Sequence, residues 1–304
     1  MTGGPLLRAT GLTKRYPGVV AVEDLTLDVP RGRVGLVGAN GAGKTTLFRM
    51  MLGLSRPSQG TLEICGIDVA SNPVGARGRI GYMPEHDCLP LDQSAADIVA
   101  SFGELSGMSP RAARQRASDM LDLVGLEEAR FRPVGGFSTG MRQRTKLAQA
   151  LVADPELVLL DEPTAGLDPT GRDEMLTLVA RLGTFGISVL LATHLLDDVQ
   201  RVCDHVVMLD GGRLVISGST ESLLERTGVL SVDVGTDRAP LLALLAQRAL
   251  VAVESAGLVE VQIASDADAD AVRDAVVELG LPLHRMISRL TSLDDVFVAE
   301  ARPT

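Results

Sequence analysis

Gly38-Ala39-Asn40-Gly41-Ala42-Gly43-Lys44-Thr45 fits the pattern G-x-x-x-x-G-K-[ST] and directly follows the apolar run 34–37. Glycines here let the backbone curl into a loop whose N–H groups point inward, a cradle for phosphate oxygens. The ammonium of Lys44 reaches the β- and γ-phosphates, and the Thr45 hydroxyl is a ligand for Mg²⁺. The residues after Gly43 read as a helix, whose positive end adds to the attraction. An ordinary glycine-rich turn explains the glycines but not the lysine, the hydroxyl or the strand in front. The stretch predicts nucleotide binding at the end of a buried strand in an α/β sheet.

A second apolar run, 157–161, leads into Asp161-Glu162-Pro163. A buried parallel strand here delivers two carboxylates at its carboxyl end, where ligands sit in open α/β sheets. Asp161 is placed to hold the Mg²⁺ shell, as the Walker B carboxylate does in P-loop enzymes. Glu162 is then placed to polarise the attacking water. Alone, these residues would read equally well as a strand ending in a charged turn. Beside a phosphate loop, they read as the hydrolytic half of a site.

Around these two points, β-type runs at 25–29, 34–37, 61–64, 157–161, 188–193, 205–209 and 213–217 alternate with helical stretches. The helices are expected after Gly43 and at 95–106, 110–124, 139–152, 170–182 and 195–202. That alternation predicts a parallel sheet with crossover helices. From about 92 to 132 helices follow one another with no β run, a helical insertion in the α/β core. After Gly218 a new series begins: strand 230–234, helix 240–248, strands 251–254 and 259–263, helix 268–279, strand 282–287. The order βαββαβ is that of a small α+β, ferredoxin-like fold. Two domains are therefore expected, 1–218 and a C-terminal accessory domain, 219–304.

Composition narrows the function. The chain has 304 residues, 45% of them hydrophobic, enough to bury a core in each domain. No apolar run reaches the roughly 18–20 residues of a membrane span, and no basic region followed by an apolar stretch opens the chain at Met1. A cytoplasmic protein is expected, reaching any membrane through a partner. The net charge of −10 disfavours a nucleic-acid ligand. Cys65, Cys88 and Cys203 are too scattered for a disulfide framework or a zinc site and read as small, partly buried hydrophobes. Lysine occurs only at Lys14, Lys44 and Lys146, although Lys and Arg together number 29. A lysine kept in such a chain marks a demanding position.

Phe137-Ser138-Thr139-Gly140-Met141-Arg142-Gln143-Arg144 resembles the LSGGQ signature of ABC ATPases, with Thr139 and Met141 as departures. Asp161-Glu162-Pro163-Thr164-Ala165-Gly166-Leu167-Asp168 resembles the Walker B and D-loop run of that family almost residue for residue. Thr193-His194 resembles its switch histidine, and Tyr16, within Leu12-Thr13-Lys14-Arg15-Tyr16, the aromatic residue that stacks on adenine. With Tyr82-Met83-Pro84-Glu85, these motifs stand in family order across 6–217. The chain is thus similar to the ATP-binding subunits of ABC transporters. The resemblance implies a P-loop NTPase of ABC ATPase type with ATP and Mg²⁺ as cofactors. Tyr16 would meet adenine, while Gly38, Asn40, Gly41, Ala42, Gly43, Lys44, Thr45 and Thr46 would bind the phosphates. Thr45, Asp161 and Glu85 would hold the metal, with Glu162, His194 and Glu85 at the reacting end. It also implies a second copy, or a related ATPase subunit, packed head to tail. Ser138, Gly140 and Asp168 of one subunit would then face the ATP of the other. Alone, Ser138 would be a plain helix N-cap and His194 a strand-end histidine.

Glu85 stands where the family usually has Gln. Glu at this point, the run S-T-G-M-R-Q-R and the ending Ser292-Leu293-Asp294-Asp295-Val296-Phe297 resemble the branch that exports drugs, antibiotics and lipids or polymers. That branch encodes its ATPase and its integral membrane permease as separate chains. The expected function is an ATPase subunit driving export by ATP-dependent dimer closure, held at the inner face of the membrane by permease subunits. Two other classes compete with it. A soluble ABC protein outside transport carries two tandem halves or long coiled coils, and neither is present. Nothing in the sequence excludes an ATP-gated regulator of a membrane complex; a neighbouring gene for a six-helix hydrophobic protein would favour a transporter. From Ser219 onward fourteen acidic residues face seven arginines, 7 − 14 = −7, which keeps this part from an anionic membrane surface. The helical insertion is the expected docking element.

Overall fold

Leu157–Asp161 and Ser188–Thr193 are buried at every position, as strands covered by helices on both faces must be. The computed structural model describes residues 4–225, 228–235, 237–289 and 293. By its internal contacts the chain divides into two compact units, Met1–Ser217 and Gly218–Thr304.

The first unit begins with strands β1 (Leu7–Tyr16), β2 (Val19–Val29) and β3 (Arg33–Val37), then helix α1 (Lys44–Met51). It continues through β4 (Gln59–Ile64), β5 (Ile67–Asp68), α2 (Pro73–Arg77) and β6 (Ile80–Met83). Three helices follow, α3 (Ala95–Leu105), α4 (Pro110–Leu123) and α5 (Thr139–Leu151). The remainder is β7 (Leu157–Asp161), α6 (Pro169–Leu182), β8 (Ser188–Thr193), α7 (Leu196–Val202), β9 (His205–Asp210) and β10 (Arg213–Ser219).

Six strands form one sheet in the order β10-β9-β3-β8-β7-β6, parallel from β9 through β6. Val37 lies opposite Thr193, Asp161 opposite Ala192, and Met83 opposite Leu160. Four strands therefore end almost level, and the segments leaving β3, β6, β7 and β8 emerge along one edge. A ligand crevice in an open parallel sheet forms at that edge.

The parallel pattern did not extend to 25–29 and 61–64. These runs belong to a separate antiparallel sheet, β2-β1-β4-β5. Its organiser, β1, has no clean alternation in sequence because the register shifts between Ala9 and Leu12, between Leu12 and Lys14, and between Lys14 and Arg15. Each bulge moves the following side chains to the other face. The short β6 is likewise absent from the expected strands. Gly81 lies at its centre, where a Cβ would meet the Ala150 carbonyl oxygen at 2.0 Å; close packing on α5 replaces the apolar side chain that would have marked a strand. Leu12, Leu25, Phe48, Met50, Met51 and Ile64 share one fully buried core. Phe48 meets Tyr82 edge-on, ring centroids 6.3 Å apart.

The helical insertion consists of α3 and α4 followed by a 3₁₀ turn, Glu127–Phe131. Ser94 caps α3 and Ser109 caps α4, each accepting from the backbone three residues on. These caps fix where the helices start.

The second unit contains α8 (Thr220–Glu225), not expected from sequence, then β11 (Gly228–Asp233), α9 (Ala239–Gln247), β12 (Ala252–Ser255), β13 (Leu258–Ile263), α10 (Asp266–Glu278) and β14 (Arg285–Arg289). Its sheet runs β12-β13-β11-β14 with every neighbouring pair antiparallel, the split βαβ topology of the ferredoxin-like fold. Val232, Leu241, Leu245, Val259, Val261 and Val272 fill its own core. The last strand starts at Arg285, beyond Pro282, which cannot donate a ladder hydrogen bond. Of the stretch 292–297 only Leu293 is among the described residues. No described helix is long and apolar enough to cross a membrane. Cys203 is buried and Cys65 half-buried, but Cys88 is exposed, against the sequence reading.

Candidate functional site

At the level edge of the parallel sheet lies a cavity of about 390 Å³. The loop after β3 forms its floor. Gly43 adopts φ 103° as the N-cap of α1, a left-handed conformation open to glycine at no steric cost. A Cβ on Gly38 would lie 2.4 Å from the Leu209 carbonyl oxygen, so the loop can start only with glycine. Asn40, Gly41, Ala42, Gly43, Lys44, Thr45 and Thr46 all line the cavity. Gly38 does not; its carbonyl oxygen accepts a short hydrogen bond from Lys44 Nζ.

Lys44 is buried, and burial lowers its pKa against the opposing pull of Glu162, Asp161 and Glu85. Its Nζ also donates to the Ala39 carbonyl at 3.4 Å and lies 4.0 Å from Glu162 Oε1. An ammonium surrounded by carbonyls and carboxylates in this way is poised to exchange them for phosphate oxygens.

β7 brings Asp161 and Glu162 into the cavity, both buried. Burial raises the pKa of Asp161, and the nearby carboxylates of Glu85 and Glu162 push it further. Tyr82 on β6 lies with its hydroxyl 3.5 Å from Asp161 Oδ2; burial, then Asp161, pushes its pKa up to about 12. Three carboxylates thus converge here with one ammonium, a donor set short of positive charge. Among the described residues no group of three His, Cys, Asp or Glu forms a complete protein cage for a metal. Asp161 and Glu85, both lining the cavity beside Thr45, fit the donor set of Mg²⁺, which takes one or two carboxylates and completes its shell with water and phosphate oxygens.

Glu162 sits at φ 48°, left-handed for a residue with a Cβ. Its N–H donates to the Ala192 carbonyl at 2.9 Å, which ties the turn to β8. The carboxylate accepts from Thr193 Oγ1 at 3.2 Å and lies 3.0 Å from His194 Nδ1. A carboxylate only accepts, so the Nδ1–H of His194 donates. The Thr193 hydroxyl in turn accepts from Leu195 N at 3.1 Å. Glu162 is thereby aimed by two side chains from the end of β8.

Tyr16, at the end of β1, and Glu85, after β6, complete the lining. Lys14 Nζ lies over the Tyr16 ring, 4.9 Å from its centroid, and the Tyr16 hydroxyl is 3.4 Å from Ser55 Oγ. Lys14 is itself fixed by the Arg56 carbonyl at 2.8 Å. Val19, Ala21 and Ala165 also line the cavity and were not singled out in the sequence; small apolar residues carry no chemical signal.

Ser138, Gly140 and Asp168 are not in this cavity. They line a second one, of about 450 Å³, with Thr139, Met141 and Arg144. Ser138 caps α5 through Met141 N at 3.2 Å, and Asp168 caps α6 through Gly171 N at 2.8 Å. Two helix N-termini therefore open on one pocket, a favourable place for an anion.

A sequence profile described as ABC transporter matches residues 22–165. The Nod factor export ATP-binding protein I of Ralstonia nicotianae is 35% identical over 97% of this chain and 93% of its own length. That span takes in the second unit as well as the first. The daunorubicin/doxorubicin resistance ATP-binding protein DrrA of Streptomyces peucetius is 39% identical over 73% of this chain and 68% of its own length. Among solved structures, cbiO1 from Clostridium perfringens, part of the ABC transporter complex cbiONQ, superposes with a TM-score of 0.66 at 28% identity over 72% of this chain and 90% of its own. With the phosphate loop, the paired carboxylates and the signature helix in place, the chain belongs to the ABC transporter family as an ATP-binding, ATP-hydrolysing subunit.

Proposed function

We propose that two copies of this chain, or this chain and a related subunit, close head to tail on ATP and drive export through separate permease chains. The observation that carries this reading is the division of the site. The phosphate loop and the hydrolytic carboxylates line one cavity; Ser138, Gly140 and Asp168 line another. A γ-phosphate held by the first in one subunit meets the second only from a partner, and a two-fold axis completes both sites together. The names of the relatives, Nod factor export and daunorubicin resistance, support export as the direction. The permease would hold the chain at the inner face of the membrane.

In this reading Tyr16 stacks on adenine, the loop N–H groups and Lys44 bind the phosphates, and Thr46 stands beside them. Thr45, Asp161 and Glu85 would hold Mg²⁺, which supplies charge neutralisation at the phosphate oxygens. Glu162 takes a proton from the attacking water, while the His194 Nδ1–H and the Thr193 hydroxyl keep the carboxylate aimed. His194, half exposed at the cavity mouth, is the residue that meets the γ-phosphate and registers its loss.

The test uses Glu162→Gln, which keeps the shape of the side chain and removes the base. It should bind ATP, stop turnover and hold a dimer through size exclusion, and should co-purify from membranes with a hydrophobic multi-helix chain. A monomer in saturating ATP that hydrolyses at the unmodified rate would refute the reading.

A further inference from the structure

Lys146 is one of three lysines in the chain and the only one outside the phosphate loop and the adenine wall. It lies on α5 with 1% of its surface exposed. Its Nζ donates to three successive backbone carbonyls, those of Pro84 at 2.9 Å, Glu85 at 3.0 Å and His86 at 3.4 Å. An ammonium has three donors, and here each finds a carbonyl of one short loop. The planar guanidinium of arginine presents its donors in a fixed fork and does not fit three oxygens converging on a point. That is a physical reason for lysine at this position in a chain rich in arginine.

The loop so held is the one that carries Glu85 into the nucleotide cavity. With its carbonyls turned to Lys146, the segment has little freedom left to move against α5. The same helix starts at Ser138, eight residues or about 12 Å along its axis, where it lines the second cavity. We propose that Lys146 is a positioning residue that locks the Glu85 loop to the signature helix. Engagement of Ser138 by a partner's nucleotide then moves Glu85 in the first cavity as part of the same rigid piece. The inference rests on the two-cavity reading above and adds to it a link between the half-sites.

The experiment uses the full chain and the variants Lys146→Met, Glu85→Ala and the pair combined. Lys146→Met should leave the ATP dissociation constant within about twofold and lower kcat about tenfold, with KM little changed. The double variant should be within about twofold of Glu85→Ala, because a residue acting through Glu85 has nothing left to position. Cys88, the exposed cysteine of this loop, should react severalfold faster with a small maleimide once the clamp is gone. Lys146→Gln keeps donors without the charge and serves the same comparisons should the methionine variant not fold. Additive effects in the double variant, a dissociation constant that rises as kcat falls, or unchanged Cys88 labelling would overturn the proposal. Failure of the unmodified chain to bind ATP would overturn the site reading itself, a different result.

Discussion

Asp198 is 1% exposed on α7 and accepts from two side chains, Thr164 Oγ1 at 2.7 Å and Arg172 Nε at 2.5 Å. Thr164 lies between Glu162 and Asp168, and α7 follows directly from His194. One buried carboxylate thus ties the loop of Glu162 to the helix that follows His194. Replacing Asp198 by Ala strands a buried hydroxyl and a largely covered guanidinium. Breaking a buried pair costs roughly 3–5 kcal/mol. The Arg172 side chain keeps 30% exposure and recovers some water, so about 3 kcal/mol is expected. For a unit of this size each kcal/mol moves Tm by roughly 2–4 °C, which gives about 6–12 °C. Asp198→Asn keeps the volume and one acceptor, and should cost about 1–2 kcal/mol. Thermal unfolding of the nucleotide-free protein, followed by circular dichroism, reads both shifts. The Asn variant should also lose kcat by more than it loses ATP affinity, since the contact aims the loop and touches no nucleotide. If both variants melt within 2 °C of the unmodified chain, the carboxylate is not the tie described.

Lys44→Ala removes the buried ammonium from the phosphate loop and should weaken ATP binding by about two orders of magnitude, the ~3 kcal/mol of two charge-assisted hydrogen bonds; equilibrium nucleotide binding measures it. Glu85→Gln relieves one of the carboxylates that press on Asp161 and should keep turnover within about threefold, whereas Glu85→Ala should lower kcat about tenfold and damage coupling to the permease more than ATP binding. A large loss of ATP affinity in Glu85→Gln would assign that carboxylate a binding role. Asp161→Asn should stabilise the nucleotide-free fold in a pH-dependent way. Burial, Glu85 and Glu162 raise the folded pKa of Asp161, so its favourable contribution is complete below the unfolded value of about 4 and is lost as pH rises through the folded value. The Tm advantage of the Asn variant should therefore be near zero at pH 4 and grow toward pH 7, and ATP with Mg²⁺ should reverse the order. A constant difference across that range would exclude Asp161 ionisation as its cause.

The residues that meet in the cavity were legible because each part of the site is contiguous: a loop of eight residues, a strand ending in two acids, a histidine after a second buried strand. Strands β7 and β8 were readable to the residue, since burial on both faces demands an unbroken apolar run. What holds these parts in place was not legible. β1, which brings Tyr16 to the cavity, hides behind three shifts of register, and β6, which brings Glu85, hides behind a glycine that packing requires. The contacts that aim the reacting groups run between distant positions: Thr164 to Asp198, His194 to Glu162, Lys146 to three carbonyls some sixty residues earlier. A sequence pattern records what repeats along the chain, and these contacts are fixed by the sheet that brings its strand ends level. Lys146 is the exception that left a trace. The scarcity of lysine marked it as a kept residue, but only the position of the Pro84–Glu85–His86 carbonyls says what it is kept for. The consequence is mechanical. Glu162 and Glu85 are each held from an element other than the one that carries them, by side chains at the end of β8 and on α5, so a shift at either place re-aims a carboxylate of the cavity.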